Sequence, residues 1–185
     1  MLNKIIDAIN NLNTPSIIAI DGRCAAGKTT LANQLRDVLK CNVIHLDNFF
    51  LRPVQRTKER LSTPGGNVDY ERFIEEVLIK LKNNQTFSYK PYICKTSSFG
   101  DDIIITPGKI TIIEGAYSTH AKFREFIDFS IFIDTDTSEQ KNRIRKRNGE
   151  AALETFIEKW IPLEEKYFEF YKTREDCDMY IEKWV

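Results

Sequence analysis

Histidine is nearly absent from this chain: His45 and His120 are the only two in 185 residues. Four cysteines, Cys24, Cys41, Cys94 and Cys177, stand far apart, and none forms a C-x-x-C pair. That spacing argues against a zinc site or a disulfide framework. No sign of charge dominates, since 27 basic residues balance 27 acidic ones. There is thus no global positive field to recruit nucleic acid. No apolar run approaches the ~20 residues needed to cross a bilayer. Met1 to Ile9 follow an amphipathic helical pattern and lack the long apolar centre of a secretory leader, so the cytoplasm is the expected location. Internal repeats, low-complexity tracts and interdomain linkers are missing too. The length fits one domain, 1–185, large enough to bury a core. A homo-oligomer is left open.

What is present is a phosphate-binding loop. Gly22-Arg23-Cys24-Ala25-Ala26-Gly27-Lys28-Thr29-Thr30 fits the pattern G-x-x-x-x-G-K-S/T. The apolar run Ile17-Ile18-Ala19-Ile20 stands just before it, and a helical pattern follows from Thr29. That strand–loop–helix context is what the motif requires. Gly22 and Gly27 let backbone wrap closely around phosphate oxygens. The amides of Ala25 to Thr30 open a helix whose dipole favours an anion. Lys28 is expected at the β/γ-phosphates and solvated without ligand, with the Thr29 hydroxyl on Mg²⁺. Cys24 lies inside the loop, either as a reactive thiol or as a small tolerated residue.

Strand-like runs alternate with helical stretches along the rest of the chain. They are Asn42 to Asp47, Lys109 to Glu114, Phe129 to Asp134 and a short Met179-Tyr180-Ile181. Apolar β-branched runs separated by helices indicate an α/β fold, a parallel sheet with helices on both faces. Three runs end in Asp47, Glu114 and Asp134. Carboxyl ends of strands form the ligand crevice of such sheets, so Asp47 and Glu114 are expected to face the crevice of the P-loop. Arg52 to Gly66 reads as a long loop. Val68 to Lys82 reads as a helix with Phe73, Val77, Leu78 and Leu81 on one face. Phe87 to Ile93 and Ile103 to Ile105 read as two strands of a hairpin insertion (about 85–106) over the crevice, turning at Gly100-Asp101-Asp102.

Arg143, Arg145, Lys146 and Arg147 crowd one short stretch before Asn148-Gly149 breaks the helix. This reads as an Arg-rich lid, about 138–152, with Arg143 and Arg147 on one helix face. From Ala152 to Tyr171 helical periodicity resumes, with Phe156, Ile157, Trp160, Leu163, Tyr167 and Phe170 as the expected buried side. Pro162 should kink it or begin a new segment.

Phosphoryl transfer needs held phosphates, a metal, a base and positive charge over the transferred group. The P-loop supplies the first. Thr29, with Glu114 or Asp47, supplies oxygen ligands for Mg²⁺, which keeps several waters. Asp47 is also the candidate base, and Arg143 and Arg147 the cations. The rival class is a nucleotide switch or partner-driving ATPase. It lacks its signatures here: Asn3-Lys4-Ile5-Ile6 is not the Asn-Lys-x-Asp of a GTPase, and Leu61-Ser62-Thr63-Pro64-Gly65-Gly66 is not an ABC signature.

Several segments, in order, resemble the uridine kinase-like branch of P-loop kinases. They are Asp21-Gly22 through Thr30, Leu46-Asp47-Asn48-Phe49-Phe50, Val68-Asp69, Tyr92, Ile112-Ile113-Glu114-Gly115-Ala116-Tyr117 and Ile133-Asp134-Thr135-Asp136 before the Arg-rich helix. The resemblance implies a five-stranded sheet in the order 2-3-1-4-5. It implies phosphorylation of a hydroxyl on a small-molecule acceptor, with ATP, or else GTP, as donor. Asp47 then corresponds to the catalytic aspartate, Asp69 to a residue binding ribose hydroxyls, Tyr92 to a nucleobase contact, and Arg143 and Arg147 to lid arginines. Phe50 stands where a substrate-contacting tyrosine is common. The histidine usual after Tyr92 is missing from Cys94-Lys95-Thr96-Ser97-Ser98, and the segment after the lid is shortened to Asn148-Gly149-Glu150. The acceptor pocket thus departs from the uridine kinase pattern.

Overall fold

A computed structural model describes residues 1–184. Helix α1 (Leu2–Asn10) buries Ile5 and Ile9, one turn apart, and leads into β1 (Ser16–Gly22), whose seven residues are all buried. Such a run is hydrophobic throughout because both faces of a parallel sheet are covered. Gly27, at φ 107°, caps the start of α2 (Lys28–Leu39), which lays Leu31, Ala32 and Leu35 on the sheet. Next comes β2 (Asn42–His45), then a 3₁₀ turn, Leu46–Phe49. The strand thus ends two residues before Asp47, which sits in the turn.

The stretch expected as a plain loop carries a short helix, α3 (Lys58–Ser62), capped by the Thr57 side chain on the Arg60 amide. The following helix runs as α4 (Tyr70–Phe73), a π-turn over Ile74–Leu78, and α5 (Ile79–Lys82). Phe73, Val77, Leu78 and Leu81 are buried, as their spacing predicts. The insertion contains β3 (Phe87–Tyr89), β4 (Tyr92–Ile93), β5 (Ser98–Phe99) and β6 (Ile103–Ile105). β3 pairs with β6 and β4 with β5, both antiparallel. The hairpin therefore turns at residues 94–97, with Ser97 at φ 52°, and Gly100 to Asp102 connect β5 to β6 on the return limb.

The core continues with β7 (Ile110–Glu114) and β8 (Phe129–Ile133). Helix α6 (Thr137–Asn148) ends at Gly149, α7 (Glu150–Thr155) follows, and a π-helical segment, Phe156–Trp160, runs into α8 (Ile161–Tyr171) with Pro162 in its first turn. Strand β9 (Met179–Ile181) closes the sheet in the order β2-β7-β1-β8-β9. Counting only these five strands, that is 2-3-1-4-5, the expected order. The expected buried side of the last helices holds only in part. Tyr167 is buried, but Ile157 and Phe170 are exposed, and Leu153, Glu164 and Phe168 point inward instead. A π-turn inserts a residue and rotates the face that follows, so a single 3.6-residue phase fails across it.

Alternation along β1 sends Ile17 to one face and Ile18 and Ile20 to the other. One core holds Phe49, Phe73, Phe123, Tyr167 and Phe168; the other holds Ile5, Ile9, Leu31 and Leu35. Helix α1 lies on the second. Among the described residues, no helix is long and apolar enough to cross a membrane.

Candidate active site

The carboxyl ends of β1, β2 and β7 open into a cavity of ≈ 870 Å³. The sheet register builds it. Ile20 of β1 pairs with Glu114 of β7, and His45 of β2 pairs with the same Glu114, so three strand ends converge on one carboxylate. Ala25, Gly27, Lys28, Thr29 and Thr30 form the P-loop wall. Asp47, Glu114, Phe50, Tyr92, Arg143 and Arg147 line the same cavity. Gly22 and Ala26 are buried behind the loop. A Cβ on Gly22 would sit 2.0 Å from the Ile133 carbonyl oxygen, so only glycine lets β1 leave the sheet here.

Lys28 is buried, contrary to its expected solvation. Its Nζ donates to the Gly22 and Arg23 carbonyls at 2.7 and 2.9 Å. A desolvated ammonium needs such partners. The Thr29 hydroxyl donates to the Glu114 carboxylate, with Oγ1 3.2 and 3.1 Å from its two oxygens. Asp47 opens onto the cavity, yet the enclosing walls thin its water shell and push its carboxyl above the usual range, while Lys28 pulls the other way. Arg143 bonds the carbonyls of Ala25, Ala26 and Trp184 and pairs with Glu139. Arg145 turns away to pair with Glu150. Cys24 is buried, its thiol pushed up to about 12 by burial and then by Glu164. It stays protonated, which removes the reactive-thiol reading.

The deoxynucleoside kinase family model matches residues 18–183, nearly the whole sheet and every residue of this cavity wall up to β9. The chain belongs to the deoxynucleoside kinase family. It is 26% identical to uridine kinase of Chlamydia pneumoniae over 182 residues, covering 89% of this chain and 80% of that one. It is 32% identical to pantothenate kinase of Haemophilus influenzae over 160 residues, 75% of this chain and 51% of that one. The chain spans only 23% of uridine-cytidine kinase D of Dictyostelium discoideum and 37% of uridine kinase-like protein 5 of Arabidopsis thaliana. In structure it is similar to a possible uridine kinase from Bacillus stearothermophilus, with a TM-score of 0.75 at 20% identity, covering 98% and 97% of the two chains. That likeness concerns the fold.

Asp69 stands apart from the other candidate site residues. It is buried but does not line the cavity. Its carboxylate accepts the Arg72 amide at 3.3 Å and the Gln55 amide group at 2.8 Å. It caps α4 and ties down the preceding loop. Tyr92 is buried on the cavity wall, and its phenol oxygen has no partner among the described residues. Asp134 pairs with Arg23 and Arg174 outside the crevice.

Four residues in or beside this cavity have contacts that escaped the reading of the sequence. Asp21 is wholly buried, and its carboxylate accepts the amides of Gly22, Tyr117 and Thr119 and the hydroxyls of Thr119 and Tyr167. It joins the P-loop strand to the loop after β7 and to α8. Glu164, buried on the cavity wall, accepts the Cys24 amide at 2.9 Å, and burial raises its carboxyl to about 7. Trp184 packs its indole beside Gly27. His45 Nδ1 lies 2.5 Å from Glu114, and that bond raises the imidazole pKa. A polar residue directly before the Asp47 turn was the only signal available for His45.

Proposed function

We propose that this chain is an ATP-dependent kinase that transfers the γ-phosphoryl group to a hydroxyl of a nucleoside or similar small metabolite. The observation that carries the proposal is the grouping of Lys28, Thr29, Glu114 and Asp47 around one cavity. Oxygen donors from Thr29, Glu114 and Asp47 suit Mg²⁺, which takes few protein ligands. Mg²⁺, when bound, supplies charge neutralisation and alignment of phosphate oxygens.

The chain's own residues do the rest. P-loop amides and the Lys28 ammonium hold the donor phosphates. Lys28 exchanges its two backbone carbonyls for phosphate oxygens, so it is already preorganised at the loop. Asp47 accepts the proton of the acceptor hydroxyl, and its raised pKa brings its basicity closer to working pH. Arg143, held on the loop carbonyls, and Arg147 place positive charge where it develops during transfer. Phe50 and Tyr92 form an aromatic wall for the acceptor, and the unpartnered Tyr92 hydroxyl gives that wall a polar contact. The kinase names among the relatives support the same chemistry.

The test is acceptor-dependent ADP formation. Purified protein with MgATP, and in parallel MgGTP, is assayed against nucleosides, vitamin precursors and sugar phosphates. ADP formed only with one acceptor class is the expected result. Equal ADP formation with no acceptor would move the chain to the switch or partner-driving class.

A further inference from the structure

We propose that His45 is a positioning residue of the metal site, holding the Glu114 carboxylate in place against Thr29. The inference rests on the assignment of Thr29 and Glu114 as metal-site residues. Parallel pairing of β2 with β7 sets His45 beside Glu114 in register, and in a parallel ladder paired side chains leave the same face of the sheet. The imidazole Nδ1 meets Glu114 Oε1 at 2.5 Å, while Thr29 Oγ1 lies 3.2 Å from that oxygen and 3.1 Å from Oε2. Among the described residues these are the two hydrogen-bonding partners of the Glu114 side chain.

Glu114 has three side-chain torsions and a nearly buried carboxylate, 6% exposed. A long acid held at one point only would swing. Thr29 is itself a candidate ligand, so it cannot serve as a fixed anchor once its oxygen turns to a cation. His45 is the anchor outside the ligand set. It stands on the edge strand of the sheet, with 41% of its side chain exposed, so its removal opens no core cavity. Partners of this kind, which orient a ligating carboxylate without touching the metal, typically change metal affinity by ~10–100-fold when removed.

The test is Mn²⁺ binding, read by electron paramagnetic resonance, in the presence of a non-hydrolysable ATP analogue. Wild type, His45→Ala, His45→Asn and Glu114→Gln are compared, with thermal melts to confirm folding. His45→Ala is expected to weaken Mn²⁺ by ~10-fold. His45→Asn is expected to restore most of that loss, because its amide can donate from near the Nδ1 position. If His45→Ala binds Mn²⁺ like wild type while Glu114→Gln does not, the role of His45 is overturned and the metal site stands. If Glu114→Gln also binds like wild type, the metal-site assignment falls, and the inference with it.

Discussion

Lys28 carries two roles that one substitution separates. Its ammonium serves the phosphates, and it also satisfies the Gly22 and Arg23 carbonyls. Lys28→Ala should abolish turnover, because the other loop cation, Arg23, is tied to Asp134 and Glu165. It should also cost about 1 kcal/mol of stability from the lost hydrogen bonds. Near-normal turnover in the folded variant would sink the kinase assignment. Asp47→Asn should lower kcat by at least ~10²-fold, the scale of a lost general base, with much less effect on nucleotide affinity alone. The protein around Asp47 raises its pKa, so the acidic limb of the wild-type rate profile should fall above the ordinary carboxylate range and vanish in Asp47→Asn. Asp69 is the contrasting carboxylate. Asp69→Ala should cost about 1–2 kcal/mol as a lost helix cap and leave acceptor KM unchanged. A rise in that KM would return Asp69 to the acceptor site.

At the scale of elements, the decisive contact is the close approach of β1 to β8 at Gly22, where φ is 132° and no Cβ fits against Ile133. Gly22→Ala should therefore lose several kcal/mol. Gly108→Ala, with nothing within 4 Å of a new Cβ, should stay within about 0.5 kcal/mol of wild type. Urea melts of the two compare them directly, and equal stability would mean that the strand yields at Gly22. The same strand shows why much of the fold was legible. Ile17 to Ile20 and Ile110 to Ile113 are buried on both faces, so each reads as a run of apolar and β-branched residues ending near its loop. The P-loop needed only local spacing. The hairpin turn was not legible, because residues 94–97 contain no glycine or proline and Ser97 takes the positive φ itself. The π-turns at Ile74–Leu78 and Phe156–Trp160 leave no local mark either, and the second shifted the buried face of the following helix. His45 reaches the cavity residue Glu114 through strand register, and Glu164 lines the cavity through tertiary packing. In the sequence they are one polar residue at a strand end and one acid in a charged helix.

Across the whole molecule, two buried titratable groups give stability opposing slopes with pH. His120 lies among Tyr70, Tyr167 and Tyr171, and burial lowers its pKa from 6.5 to about 4. Between those values the unfolded chain carries the proton and the folded chain does not, so stability rises with pH. Glu164 is raised by burial from 4.5 to about 7. Between those values the folded chain holds the proton and the unfolded chain does not, so stability falls as pH rises. The two slopes oppose each other where the windows overlap, and each is worth on the order of 3 kcal/mol when fully developed. Glu164→Gln keeps a carbonyl oxygen for the Cys24 amide but removes the falling slope. Relative to wild type, this variant should gain stability steadily from about pH 4.5 to pH 7 and then level off, by the linkage relation. His120→Phe keeps a ring of similar size in the aromatic cluster and removes the rising slope. It should gain on wild type as pH falls from about 6.5 towards 4. Denaturant melts of the three proteins across that range decide the matter. Parallel curves would mean that neither group changes its proton affinity on folding, and that Glu164 stays ionised beside the P-loop at neutral pH.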